Sequence, residues 1–160
     1  MLSVGDKVVH SPEGVCKVEE ICILETQKQK REYYRLRSVV DDKVVVYIPT
    51  DNTKIQTRKL KSREEIQSIL QMEPDGTKFL QQNMQKRAAA QKKAIYEDNS
   101  ALVMKMIKLY VRKNEQAYLS IMDKNWLKLA ERYLFSEIAE VMGCEYAAFV
   151  QESHRNICFS

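Results

Sequence analysis

The sequence predicts an α+β protein, a small antiparallel β domain followed by a compact helical domain. Three observations carry this. Short apolar runs broken by turn residues fill the first 50 residues, helical periodicity takes over from about Lys61, and Gly and Pro number only four and three. So few turn residues argue against an all-β sandwich and for long helices.

In the β part, Val8-Val9 follows the turn-prone Gly5-Asp6, and Ser11-Pro12-Glu13-Gly14 marks the next turn. Val15 to Leu24 is rich in Val and Ile and predicts a strand. In Arg31 to Val40, Tyr34 and Leu36 alternate with Arg35 and Arg37, the pattern of a half-buried strand. Lys43 to Pro49 is a further strand after the Asp41-Asp42 turn. The runs Ile21–Leu24 and Val44–Ile48 are apolar on both faces. The second face is expected to pack on the chain's own helices, or an edge or face to be offered to another protein by strand addition, and the two are compatible.

The helical part opens with Ser62-Arg63-Glu64-Glu65, a capping box for a short helix through Ile66, Ile69 and Leu70. Met72-Glu73-Pro74-Asp75-Gly76 breaks it. One long helix is predicted over Lys78–Tyr96, and another from Ser100 to about Asn114 with an apolar stripe of Val103, Met106, Ile107 and Tyr110. On this second helix Lys105, Lys108 and Arg112 are expected on the solvent side. Ser120, three residues before Asp123, caps a helix that Gly143 ends, and a last short helix is expected over Glu145–Ser153. The domain reading is 1–60 for the β domain, 61–76 for a short helix and linker, and 77–160 for the helical domain.

The charge is unevenly distributed. Residues 1–75 hold thirteen Lys/Arg and thirteen Asp/Glu, whereas Lys78 to Lys113 hold nine Lys/Arg against Glu97 and Asp98 alone. A solvated helix face usually mixes signs, so this segment points to an anionic polymer. Contacts to phosphates carry affinity but little sequence information. Met84, beside Lys86 and Arg87, has two readings. With Leu80 and Ala88 on one helix face it is a core methionine, the reading that spacing alone favours. Next to basic residues it is an apolar wedge for a base step.

No nucleophile elbow, P-loop, zincin or dinucleotide motif is present, and no active site is expected. Adjacent acids such as Glu19-Glu20 should point apart on a strand. Cys16, Cys22, Cys144 and Cys158, with His10 and His154, lack metal-site spacing, so neither a metal nor another cofactor is expected. With no signal-like N-terminus and no apolar run of about eighteen residues, the chain is expected to be cytoplasmic.

Several of these stretches resemble one family. VGDKVVHSPEGVCKVEEI, REYYRL and VVVYIPTDN are similar to the RNA-polymerase-interacting domain of the CarD/CdnL regulators, a domain related to one in transcription-repair coupling factors. NMQKRA, MIKLYVRKNEQAYLSIMDKNWL and LAERYLFSEIA resemble that family's helical DNA-contacting half, so the resemblance spans nearly all of residues 1–142. It implies a non-enzymatic regulator whose Tudor-like β domain binds the RNA polymerase β subunit through a sheet edge, near Ile23, Leu24, Glu25 and Tyr47. It implies also that the helical half contacts promoter DNA at the upstream edge of the transcription bubble, mostly at phosphates on the minor-groove side, and alters open-complex stability. By position, Met84, Lys86, Arg87, Lys108, Arg112, Lys113 and Lys124 would touch DNA. Met84 stands where many members carry a wedging tryptophan, and Trp126, the only tryptophan, aligns to a core position. The other reading is a Tudor-like nucleic-acid-binding module acting without polymerase.

Overall fold

The computed structural model describes residues 1–53 and 56–159. Five strands form one antiparallel sheet in the order β4-β3-β2-β1-β5: β1 (Lys7–His10), β2 (Gly14–Thr26), β3 (Gln29–Ser38), β4 (Val45–Pro49) and β5 (Thr57–Arg58). Six helices follow: α1 (Arg63–Leu70), α2 (Lys78–Gln81), α3 (Met84–Tyr96), α4 (Ser100–Gln116), α5 (Ile121–Met142) and α6 (Tyr146–Phe159). The expected β-then-α order is therefore borne out, with the two-residue edge strand β5 added.

Strand alternation gives the sheet two apolar faces. Val8, Cys16, Val18, Tyr34, Leu36 and Ile48 form a small core on one face. Val9 and Val15, pointing the other way, join the large helical core with Ile107, Tyr110, Leu134 and Phe135. Between the expected acids the strand does not run regularly. The β2–β3 register shifts between Val18 and Glu20, so Glu19 is the extra residue of a bulge. Both acids consequently reach Arg35, at 3.0 Å from Glu19 and 3.1 Å from Glu20, where a regular strand would have separated them.

The helix ends follow their capping residues. Ser62 and Glu65 form the full capping box of α1, and the Ser120 hydroxyl accepts from the Asp123 amide. Gly143, at φ +73°, closes α5 in the left-handed conformation. The expected continuous helix over Lys78–Tyr96 is instead two. Gln82 is extended, and Asn83 caps α3 by accepting from the Lys86 amide at 2.9 Å. An Asn side chain that captures a backbone N–H competes with helix continuation, and here it wins.

The helix α4 is the centre of the helical layer, with α1, α3, α5 and α6 packed around it. It is therefore buried nearly all round, Lys108 included, so the expected solvent side of this helix is largely covered.

The sheet docks on α5 through close contacts. The Val15 amide donates to Ser136 Oγ at 3.0 Å, and Arg132 pairs with Glu13 at 2.6 Å. The fully buried Glu137 accepts two hydrogen bonds from Arg58, at 2.6 and 2.8 Å, and one from the Lys61 amide at 2.8 Å. Beside them Asp98, in the α3–α4 turn, accepts from the Tyr133 hydroxyl and pairs with Arg58 and Lys61. Burial opposes its ionisation, but the hydrogen bonds from Arg58 and Tyr133 and the charges of Arg58 and Lys61 together outweigh burial. The Asp98 pKa is lowered.

Candidate polymerase and nucleic-acid surfaces

The basic residues of the helical half separate into two sets. Lys108 is inward: its side chain is only 7% exposed, and Nζ donates to the Leu70 carbonyl at 2.9 Å and to Glu73 at 2.8 Å. Arg112 meets the other Glu73 oxygen at 2.9 Å and the Ile157 carbonyl at 3.3 Å. Hydrogen bonding from Lys108 is the main cause that holds the Glu73 pKa below its ordinary value, with burial opposing and Arg112 assisting. Arg87 is also committed. It donates to the Leu80 and Gln82 carbonyls and to both Asp123 oxygens, tying the α2–α3 turn to the start of α5. Lys113 is half-buried.

Lys86 and Lys124 are outward and exposed. Met84, the first residue of α3, is 45% exposed and so is not a core methionine. The reason is the break before it. With α2 ending at Gln81, Leu80 and Met84 no longer share a helix face. Trp126 is buried and packs against Tyr110 in a tilted arrangement, 5.3 Å between centroids.

The structure adds residues that the sequence did not single out. Tyr118 is 91% exposed, with Lys124 Nζ 5.0 Å from its ring centroid, and Ile121 and Met122 beside it are also exposed. Tyr96 is exposed too, with Lys92 Nζ 5.8 Å from its ring. Each lies at a helix end or, for Tyr118, in the α4–α5 connection, where the 3.6-residue pattern that separates core from surface is read over too few residues to be informative.

On the sheet, the β2–β3 hairpin runs on past the residues that pair with β1 and β4. It exposes Ile21, Ile23 and Leu24. Tyr47 is exposed on β4, which among the described residues pairs only with β3. Partner residues share a face. Ile21 opposite Tyr34 and Ile23 opposite Glu32 lie on one face with Glu25, whereas Leu24 opposite Arg31 and Tyr47 opposite Arg35 lie on the other. The candidate polymerase residues are thus divided between the two faces. On β4, Val44 O accepts from Ser38 N and Thr50 N donates to Glu32 O. Even-numbered backbone groups therefore turn toward β3, and those of Val45 and Tyr47 turn outward, as does Pro49, which has no N–H to leave unpaired.

A family model, the CarD-like/TRCF RID domain, matches residues 2–61. Residues 2–61 are thus similar to a CarD-like/TRCF RID domain. The CarD/CdnL-like character suggested by the N-terminal motifs is borne out by this match. Comparison with curated proteins finds no match. The RID domain is an RNA-polymerase-interacting, transcription-related module of a non-enzymatic kind. Its matched span takes in all five strands and ends at Lys61, whose amide donates to Glu137. Charges pair on the sheet face that carries Arg35 and Arg37: Glu19 accepts from both, and the hydrogen bond from Arg37 is the main cause of its lowered pKa. Among the described residues no cluster of His, Cys, Asp and Glu is arranged to hold a metal, and no helix is long and apolar enough to cross a membrane.

Proposed function

We propose that the protein is a cytoplasmic regulator of transcription initiation that grips the RNA polymerase β subunit with its RID domain and touches promoter DNA with its helical half. The observation that carries the reading is the open β4 edge, with the backbone of Val45 and Tyr47 turned outward and exposed Tyr47 beside it. An unpaired edge next to an exposed aromatic is the setting for strand addition, in which main-chain bonds give affinity and alternate side chains give specificity. The division of Ile23, Glu25, Leu24 and Tyr47 over both faces fits recognition along edges better than recognition by one face.

In this reading residues 1–60 are the grip, 61–76 connect, and 77–160 reach the upstream edge of the transcription bubble. Lys86 and Lys124 take phosphates on the minor-groove side, and Met84 is the apolar residue presented to a base step. Arg87, Lys108 and Arg112, already paired with Asp123 and Glu73, act chiefly by holding α3, α4 and α5 in place. Lys113 lies at the margin. The protein has no chemistry of its own and needs no cofactor. It shifts the polymerase toward the open complex by no more than the difference in its affinity for the open and closed states.

The test is binding of the whole chain to the isolated polymerase β subunit. Tyr47→Pro removes an outward N–H and leaves the inward ladder to β3 intact. It is expected to lose binding while Tyr47→Phe keeps it. Full binding by a folded Tyr47→Pro protein sinks the edge reading. No binding by the unaltered chain sinks the polymerase reading and favours a nucleic-acid module acting alone.

A further inference from the structure

A groove of about 310 Å³ lies between α3 and α5. Both helices begin at the same end, where Arg87 pairs with Asp123, and stay side by side as far as Asp98 and Tyr133, so they run parallel. Met84 and Met122 stand at one end of the groove, Ala88, Ile95 and Leu129 line it, and Trp126 lies in its wall. Along its length α3 runs from Met84 to Tyr96, roughly 18 Å at the helical rise.

Two features indicate what this groove accommodates. First, exposed tyrosines stand in the groove at α3's far end and outside it just before α5, and each carries a lysine over its ring: Tyr96 with Lys92 in the lining, and Tyr118 with Lys124 beyond it. Aromatic faces interleaved with cations are how single-stranded nucleic acid is held, the bases stacking and the phosphates meeting positive charge. Second, the one acid lining the groove, Asp123, is already paired with Arg87, so Lys92 leaves the groove net positive. An apolar peptide side chain or a lipid tail would fit the apolar walls but leave the lysines unexplained.

We propose that the α3–α5 groove takes an unpaired nucleobase of single-stranded DNA, with Lys92 and Lys124 meeting the flanking phosphates. This rests on the reading that the helical half touches DNA, and it gives that contact a second element. Met84 no longer has only to wedge between bases, because it also stands at the mouth of a site that receives a base. Ala88 is what leaves the space. A longer side chain at that position would fill the wall.

The chain's single tryptophan is its own reporter. The full chain is titrated with a short oligothymidylate, with the same strand carrying abasic sites, and with a blunt duplex, and Trp126 emission and affinity are followed. The intact strand is expected to change Trp126 emission and to bind about tenfold more tightly than the abasic strand. Ala88→Leu should erase that preference and leave duplex binding alone. Tyr96→Ala, a surface change, should reduce the preference without disturbing the fold. If abasic and intact strands bind alike while the duplex still binds, the groove proposal fails and the DNA-contact reading stands. If no strand and no duplex bind, both fail.

Discussion

Gly14 of β2 lies directly against the backbone of Arg132 in α5: a Cβ at this position would stand 2.3 Å from the Arg132 carbonyl oxygen and 2.4 Å from Ser136 Oγ. Gly14 also holds φ +85°, a conformation that residues with a side chain rarely adopt. Gly14→Ala therefore meets both a strained backbone and a main-chain atom that cannot rotate away. It should destabilise the protein by about 2–5 kcal/mol in chemical denaturation. A change below about 0.5 kcal/mol would mean that sheet and helix are not packed as described.

Arg58→Met should be at least as costly. It leaves the buried Glu137 carboxylate with only the Lys61 amide, and removing one partner of a buried ion pair costs about 3–5 kcal/mol. The neighbouring Asp98 contributes to the loss of stability in acid. Because its folded pKa is lowered, its contribution is complete above the ordinary carboxylate value of about 3.9 and is lost as the pH falls through the folded value. Asp98→Asn should flatten the acid limb of stability against pH.

The two sets of basic residues should separate by experiment. Lys86→Gln and Lys124→Gln should leave stability within about 0.5 kcal/mol, weaken DNA binding, and each lower the salt dependence by about one phosphate contact. Lys108→Met strands the Leu70 carbonyl and should cost about 1–3 kcal/mol of stability. Equal effects of all three on salt dependence, with stability unchanged, would overturn the division.

Met84→Ala should shorten open-complex lifetime in a reconstituted system, and Met84→Trp should lengthen it, because an indole adds a stacking face. Since Met84 is exposed on the first turn of α3, neither change should perturb folding by more than about 0.5 kcal/mol. Unchanged lifetimes in both variants would remove Met84 from the DNA surface.

His154 on α6 faces Glu131 of α5. The hydrogen bond with Glu131 is the main cause that raises its pKa, against an opposing effect of burial. A raised value stabilises the fold fully below the ordinary histidine value of about 6.5, and that stabilisation is lost as the pH rises through the folded value. Amide protection in α6, corrected for the base catalysis of exchange itself, should therefore fall as the pH rises above the ordinary histidine value. His154→Gln should remove that pH dependence.

The legible parts of the fold were those signalled by local chemistry. Ser62, Ser120 and Gly143 mark helix ends because a cap needs a particular side chain, or none, at one position. The break before α3 was not legible. Gln82 is an ordinary helix former, and Asn83 announces a cap only once the chain has left the helix. Lys108 misled because its long stem crosses apolar surroundings to reach Glu73, and the element covering it is distant in sequence. The bulge at Glu19 was hidden for a related reason, since register belongs to a pair of strands and not to one. The acid-poor segment was visible as a charge pattern, but which of its charges face outward was decided by the helices packed around α4.

The contact between Gly14 and Arg132 also bears on how the two halves could measure distance. If only the Lys59–Ser62 connection joined them, their separation would follow tether length, and inserting a few residues there would extend the span. Here a strand lies on a helix with no room for even a methyl group between them. A body seated on the β4 edge therefore stands at a set angle and spacing from whatever lies along α3 and α5. Such an object works as a caliper. It discriminates among its partners by where they are as well as by what they are, and a shift in the position of one contact surfaces as a loss at the other.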